Sequence, residues 1–242
     1  YPFSEVAPLK KLSARAVALL TNGILALILI VVGAVCFFPS ASHVSGVKER
    51  VVSRGSAENA VSLMFNVYWG SGEVEGILSV LEEYGAKATF FLGGSWADDN
   101  TALVKRIAEE GHEVASHGYF HRDHASLDYD GNYKEIKQSV DFISAAAGVE
   151  IALFAPPSGA YNDDTVLAAE SLGLRTVMWS RDTVDWRDKD EEVCYTRATS
   201  GLEAGEFILM HPMPHTLAAL PRILHYLETH GLSAVTVSEN IG

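Results

Sequence analysis

One rhythm repeats from residue 57 to the end of the chain: a short apolar run, an amphipathic segment, a glycine, then the next apolar run. The apolar runs fall at 60–67, 88–92, 113–116, 153–155, 176–179, 207–210 and 234–237. Between them, 73–84 places Val74, Ile77, Leu78 and Leu81 on one helical face and stops at Gly85, a residue suited to the left-handed C-cap. Segments 101–110, 133–147, 163–172 and 221–230 likewise end at Gly111, Gly148, Gly173 and Gly231. Strand, helix, glycine, strand is the pattern of parallel strands joined by helical crossovers. No nucleotide-type glycine loop follows the first strand. The expected fold is therefore α/β, a distorted (β/α) barrel of about seven parallel strands, built in one domain over 57–242.

The 56 residues before this domain differ in character. Segment 16–38 is apolar and uncharged, long enough to cross a bilayer, which takes about 20 residues. Lys10, Lys11 and Arg15 precede it, which puts residues 1–15 in the cytoplasm and the domain outside the cell membrane. A cleaved signal peptide is the rival reading, with 39–42 as the processing site. The run exceeds the usual apolar core of such a peptide, which favours a single transmembrane anchor followed by a polar linker over 39–56. Charge is just as divided. Residues 1–54 carry six Lys/Arg against two Asp/Glu, whereas the remainder carries twelve against twenty-nine. A domain that acidic excludes nucleic acid as a partner, because phosphates demand the opposite sign. The two cysteines, Cys36 and Cys194, exclude a disulfide framework.

In parallel α/β folds, functional groups gather where strands end. His117 and His121 follow the third strand and stand four apart, so a helical turn would project both imidazoles from one face. Such a pair can share a divalent cation, zinc foremost. Strand one ends in Asn66-Val67-Tyr68-Trp69. Strand four runs into Ala155-Pro156-Pro157-Ser158-Gly159-Ala160-Tyr161, strand five leads to Asp182 through Asp185-Trp186, and strand six ends at Leu209-Met210-His211. Tyr68, Trp69, Tyr161 and Trp186 are candidate platforms for sugar rings, with packing at the barrel rim as the alternative.

The order of these strand ends resembles the polysaccharide deacetylase family, the NodB homology domain of the family-four carbohydrate esterases. The match runs over about 61–240. His117 and His121 fit the family's metal pair, Asp185-Trp186 its fourth motif, and Leu209 to His211 its fifth. The resemblance implies metal-assisted hydrolysis of an acetyl group on an amino-sugar polymer of the cell wall or spore envelope, peptidoglycan or a related glycan. It makes the enzyme a hydrolase of carbon–nitrogen bonds other than peptide bonds. His211 would act as the acid, oriented by Asp185.

Two motifs depart from the family. Where it has Phe-Asp-Asp-Gly, supplying the base and then a metal carboxylate, this chain has Phe65-Asn66-Val67-Tyr68. Asn66 stands at the catalytic position but accepts no proton at useful pH, and Val67 ligates nothing. Where the family has an arginine bracing the base, Ala155 stands. Asp123, His124 and Asp182 are candidate substitutes. Two functions therefore follow from the sequence: a metal-dependent deacetylase, or a retired relative that binds glycan.

Overall fold

The computed structural model describes residues 50–242, together with residues 13, 15, 19 and 21–27. Two compact units divide the chain, 1–45 and 46–242. In the first, 21–27 is helical, with Ile24, Leu25 and Leu27 exposed. The anchor expected over 16–38 lies mostly outside the described residues. Among those that are described, no helix is long and apolar enough to cross a membrane.

The second unit is an incomplete barrel. Eight strands, β1 (Ala60–Val67), β2 (Thr89–Leu92), β3 (Glu113–Ser116), β4 (Leu153–Phe154), β5 (Arg175–Thr176), β6 (Arg181–Asp182), β7 (Phe207–Met210) and β8 (Ser233–Ala234), form one sheet. Seven lie on the path β5-β4-β3-β2-β1-β7-β6, and β8 pairs with the start of β1 off that path. Every pairing between these strands is parallel, as the helical crossovers require. The path ends at β5 and β6, and residues 50–56 bridge the space between that edge and β7. Val52 N–H donates to Thr176 C=O at 3.0 Å, and Met178 N–H donates back to Val52 C=O at 2.8 Å. Gly55 N–H then reaches Gly205 C=O at 2.8 Å. Arg50 pairs with Glu170, and Arg54 with Glu203.

The helices are α1 (Ser71–Glu83), α2 (Gly94–Asp99), α3 (Thr101–Glu109), α4 (Tyr129–Ala147), α5 (Asp163–Ser171), α6 (Asp185–Asp188), α7 (Glu191–Thr199), α8 (Pro214–Thr229) and α9 (Val237–Ile241). In α1 the four residues expected to face inward are fully buried. Two expectations need correction. The helix anticipated over 221–230 begins at Pro214, so Pro221 lies inside it rather than at its first turn. The last strand stops at Ala234, because Thr236 caps α9 through the N–H of Glu239.

Strand alternation sorts the core into two. Leu63, Phe65, Val67, Phe90, Leu92, Val114, Ile208 and Met210 face the helices. Met64, Phe91, Ala115, Leu153, Ala155, Val177 and Phe207 form a smaller cluster inside the sheet's curl. Extending each inner series along its strand by one step of two places Asn66, His117, Trp179 and Leu209 on the inner side at the C-terminal ends.

Candidate active site at the strand ends

Those inner positions line a cleft of about 310 Å³, joined there by Trp69, His121, Asp182 and His211. Its two flanks have different chemistry.

On one flank stand His117 and His121. His117 is almost fully buried, and its Nδ1 lies 2.8 Å from the carbonyl oxygen of Ala155. A nitrogen facing a carbonyl must carry the proton, so Nε2 keeps its lone pair. The helical turn expected to join the pair is absent. Residues 117–123 form a loop with left-handed backbone at Gly118 (φ 71°) and His121 (φ 54°), which brings the two rings edge to face at 5.1 Å. Glu135 on α4 steadies this loop by accepting the Phe120 N–H at 2.5 Å, and Tyr68 lies 4.9 Å from the His121 ring. Burial, then the neighbouring His121, holds the His117 pKa well below the ordinary imidazole value. Burial also lowers that of His121. Two neutral imidazoles are competent donors to a borderline cation.

The third donor of an ordinary catalytic zinc site is what the flank lacks. Among the described residues, no three His, Cys, Asp or Glu side chains gather as a ligand set. Val67, at the family's metal carboxylate position, packs in the helix-side core. Asn66 is 4% exposed, and its Oδ1 has no hydrogen-bond partner among the described residues. The residues present thus offer a divalent cation two imidazoles and, among the described residues, no third His, Cys or carboxylate ligand, a donor set better suited to zinc than to magnesium.

On the other flank Asp185 is the hub. It is 2% exposed and accepts four hydrogen bonds: from His211 Nδ1 (2.7 Å), the His211 N–H (2.7 Å), the Thr216 hydroxyl (2.7 Å) and the Trp186 N–H (2.8 Å). Burial alone would raise its pKa, but His211 and the other donors hold it below the usual carboxylate value. Val184 has left-handed backbone (φ 51°), which is strained for a β-branched residue. Its N–H is held at 2.7 Å by Asp182 Oδ1. Trp69 lies parallel to the His211 ring at 5.9 Å, and its Nε1–H points to the Met213 sulfur at 3.2 Å.

Of the residues the sequence proposed, Asn66, Trp69, His117, His121, Asp182, Trp186 and His211 meet at the cleft, with Asp185 directly behind His211. Tyr68 reaches it through His121, whereas Tyr161 is not part of its wall. Neither Asp123 nor His124 is there. The Asp123 carboxylate caps a short turn by accepting the Ala125 N–H. His124 is fully buried, with Nδ1 held by Asn132 Oδ1 at 2.6 Å. Sequence reasoning missed Trp179 and Ser158, which complete the cleft, and Thr216, which holds Asp185. The alternation that places Val177 inside the sheet also places Trp179 there, so that signal was available. Nothing local marked Thr216.

Residues 53–177 match the family described as polysaccharide deacetylase. The chain is 33% identical to the uncharacterized protein YlxY of Bacillus subtilis, over 81% of this chain and 62% of that protein. It is 32% identical to the peptidoglycan-N-acetylglucosamine deacetylase PgdA of Listeria monocytogenes, over 82% of this chain but only 42% of that one. Among solved structures, BA3943 of Bacillus anthracis, described as a CE4 family pseudoenzyme, superposes with a TM-score of 0.76 at 32% identity. That likeness covers 78% of this chain and 68% of the other. A BA3943 mutant described as having restored enzymatic activity superposes equally well, at 30% identity over 78% of this chain and 70% of the mutant.

Proposed function

We propose that this chain, which belongs to the polysaccharide deacetylase family, binds an acetylated amino-sugar polymer of the cell wall in its strand-end cleft without hydrolysing it. One observation carries the reading. The position that must take a proton from the attacking water holds Asn66, a buried amide whose oxygen is unpaired. General-base catalysis is typically worth about 10²–10⁴-fold, and an amide cannot supply it. Asp182, the one carboxylate lining the cleft among the described residues, already accepts the Val184 N–H. The aromatic walls persist, and so does the means of gripping a sugar.

A second reading, slow hydrolysis, is favoured by the intact pair of His211 and Asp185. His211 Nδ1 bonded to Asp185 leaves Nε2 as the atom that would carry a proton to the leaving amine. A divalent cation held by His117 and His121 would polarise the acetyl carbonyl. Asn66 would then only orient water. Relatives described as peptidoglycan N-acetylglucosamine deacetylases support an acetylated glycan as the ligand under either reading. For location, the apolar segment 16–38 supports a tether that holds the domain outside the cell membrane; full release by alkaline carbonate would refute it.

Calorimetric titration of the full chain with an N-acetylglucosamine hexamer, alongside an acetate assay on the same samples, tests the function. Binding without acetate above the level of the His211→Ala variant is the expected result. Acetate release that His211→Ala abolishes would establish the hydrolase reading in its place. Absence of binding would overturn both.

A further inference from the structure

The cleft has an unusual balance of hydrogen-bonding groups. None of the side chains lining it is Lys or Arg. Three of its donors are committed elsewhere, His117 Nδ1–H to the Ala155 carbonyl, His211 Nδ1–H to Asp185 and Trp69 Nε1–H to the Met213 sulfur, and the others in its wall, the Asn66 amide, the Ser158 hydroxyl and the Trp179 and Trp186 N–H groups, are neutral. Acceptors are left over. His117 retains a bare Nε2, and the Asp182 carboxylate stands in the wall. Three of the chain's four tryptophans, Trp69, Trp179 and Trp186, also line it, and Trp186 is half exposed at the rim.

An acetyl carbonyl entering this space finds no Lys or Arg among the lining residues to meet it. A protonated amine brings three N–H groups to unmet acceptors, a countercharge to Asp182, and a cation to indole faces that attract one. The domain's acidity acts in the same direction. We infer that the cleft selects sugars bearing a free, protonated 2-amino group over their N-acetylated counterparts, with Asp182 and the tryptophans Trp69, Trp179 and Trp186 as the discriminating groups. The inference rests on the reading that the cleft binds amino-sugar polymer. On this view the cleft, within a partly acetylated polymer, prefers the stretches that another hydrolase has already deacetylated.

The geometry behind Asp182 makes a clean test available. Its Oδ1 accepts the Val184 N–H at 2.7 Å, and an asparagine keeps that bond through its amide oxygen while losing the charge. The full chain would be titrated with a glucosamine hexamer and an N-acetylglucosamine hexamer at mildly acidic pH, with chelator and, separately, with added zinc. About tenfold tighter binding of the glucosamine hexamer in chelator is expected. Asp182→Asn should bring the ratio near one, and Trp179→Ala should weaken the glucosamine hexamer. Equal binding, or preference for the acetylated hexamer, overturns the inference but leaves the glycan-binding reading standing. Failure to bind either hexamer overturns both. A preference that survives Asp182→Asn belongs to the domain's overall charge, and one that requires zinc belongs to the metal; each would overturn the inference.

Discussion

Replacing Asp185 with asparagine should cost stability in an amount that the structure sets and in a way that depends on pH. The carboxylate accepts four donors, two at each oxygen: His211 Nδ1–H and Trp186 N–H at Oδ1, His211 N–H and the Thr216 hydroxyl at Oδ2. Asparagine must place its NH₂ at one of these positions, facing a backbone N–H that cannot turn away. That clash costs about 1–3 kcal/mol, and the second bond at that position, which must reverse, and the two at the retained oxygen each lose about 1 kcal/mol as the charge is lost. Relief from burying a charge offsets part of this, leaving about 3–4 kcal/mol, or roughly 10 °C in the melting temperature of a domain this size. The pH dependence follows from linkage. Folding depresses the Asp185 pKa, so its contribution is complete above the unfolded value of about 3.9 and is lost as pH falls through the lower folded value. Urea unfolding of both proteins at pH 7, 5, 3.5 and 2.5 should show a gap that is constant down to about pH 4 and narrows below it. A gap that persists unchanged at pH 2.5 would mean that Asp185 is not ionised in the folded protein, and the hub argument would fail.

Other expectations are simpler to state. Asn66→Asp should raise acetate release from N-acetylglucosamine oligomers by about 10²-fold, the low end for a general base, because Ala155 offers the new carboxylate no cation; an unchanged or lower rate refutes the missing-base account. Zinc should raise the melting temperature modestly, since it binds only the folded pair of imidazoles, and His117→Ala should abolish the shift; an equal shift in that variant places the cation elsewhere. Burial and the nearby Lys87 hold His112 down to about 4, and burial lowers His117, His121 and His124 too. The unfolded chain therefore binds more protons below about pH 6.5, and stability should fall there by up to about 1.4 kcal/mol per pH unit for each histidine; a flat profile from pH 7 to 5 would contradict this. Gly159→Ala should weaken oligosaccharide binding, because a Cβ there (φ 68°) would lie 2.9 Å from the Trp179 ring; unaltered affinity would show that Trp179 is not a platform.

How much of this was legible in the sequence depended on whether a residue's role was local. Strand alternation is local, so Asn66, His117 and His211 could be placed at one end of a parallel sheet from spacing alone. The loop joining His117 to His121 is not. Two left-handed residues there, Gly118 and His121, replace the helical turn that a four-residue spacing suggests, and the brace, Glu135, lies fourteen residues beyond His121. His124 looked like a spare ligand because it is polar and adjacent. It is instead a buried packing residue, satisfied on one side by Asn132 from the next helix. Residues 50–56 read as linker because they are polar. They bridge the open side of the curled sheet through backbone hydrogen bonds that side-chain composition does not report.

The unequal survival of the two flanks has a physical reason. Asp185 is tied to four donors from α6, α8 and the end of β7, so removing it leaves a buried backbone N–H without a partner and a strained Val184 with less to hold it. That flank would be expensive to lose whether or not it is used for chemistry. The opposite flank, as the family resemblance implies, needs a buried carboxylate and an arginine that neutralise each other. Removing either alone strands a buried charge, whereas removing both leaves Asn66 and Ala155, two buried positions without charge. The base side can therefore be discarded in one coupled change at little cost to folding, and the acid side cannot. An intact His211–Asp185 pair is for that reason weaker testimony to hydrolysis than it first looks, and the unpaired oxygen of Asn66 is the stronger witness to what the cleft now does.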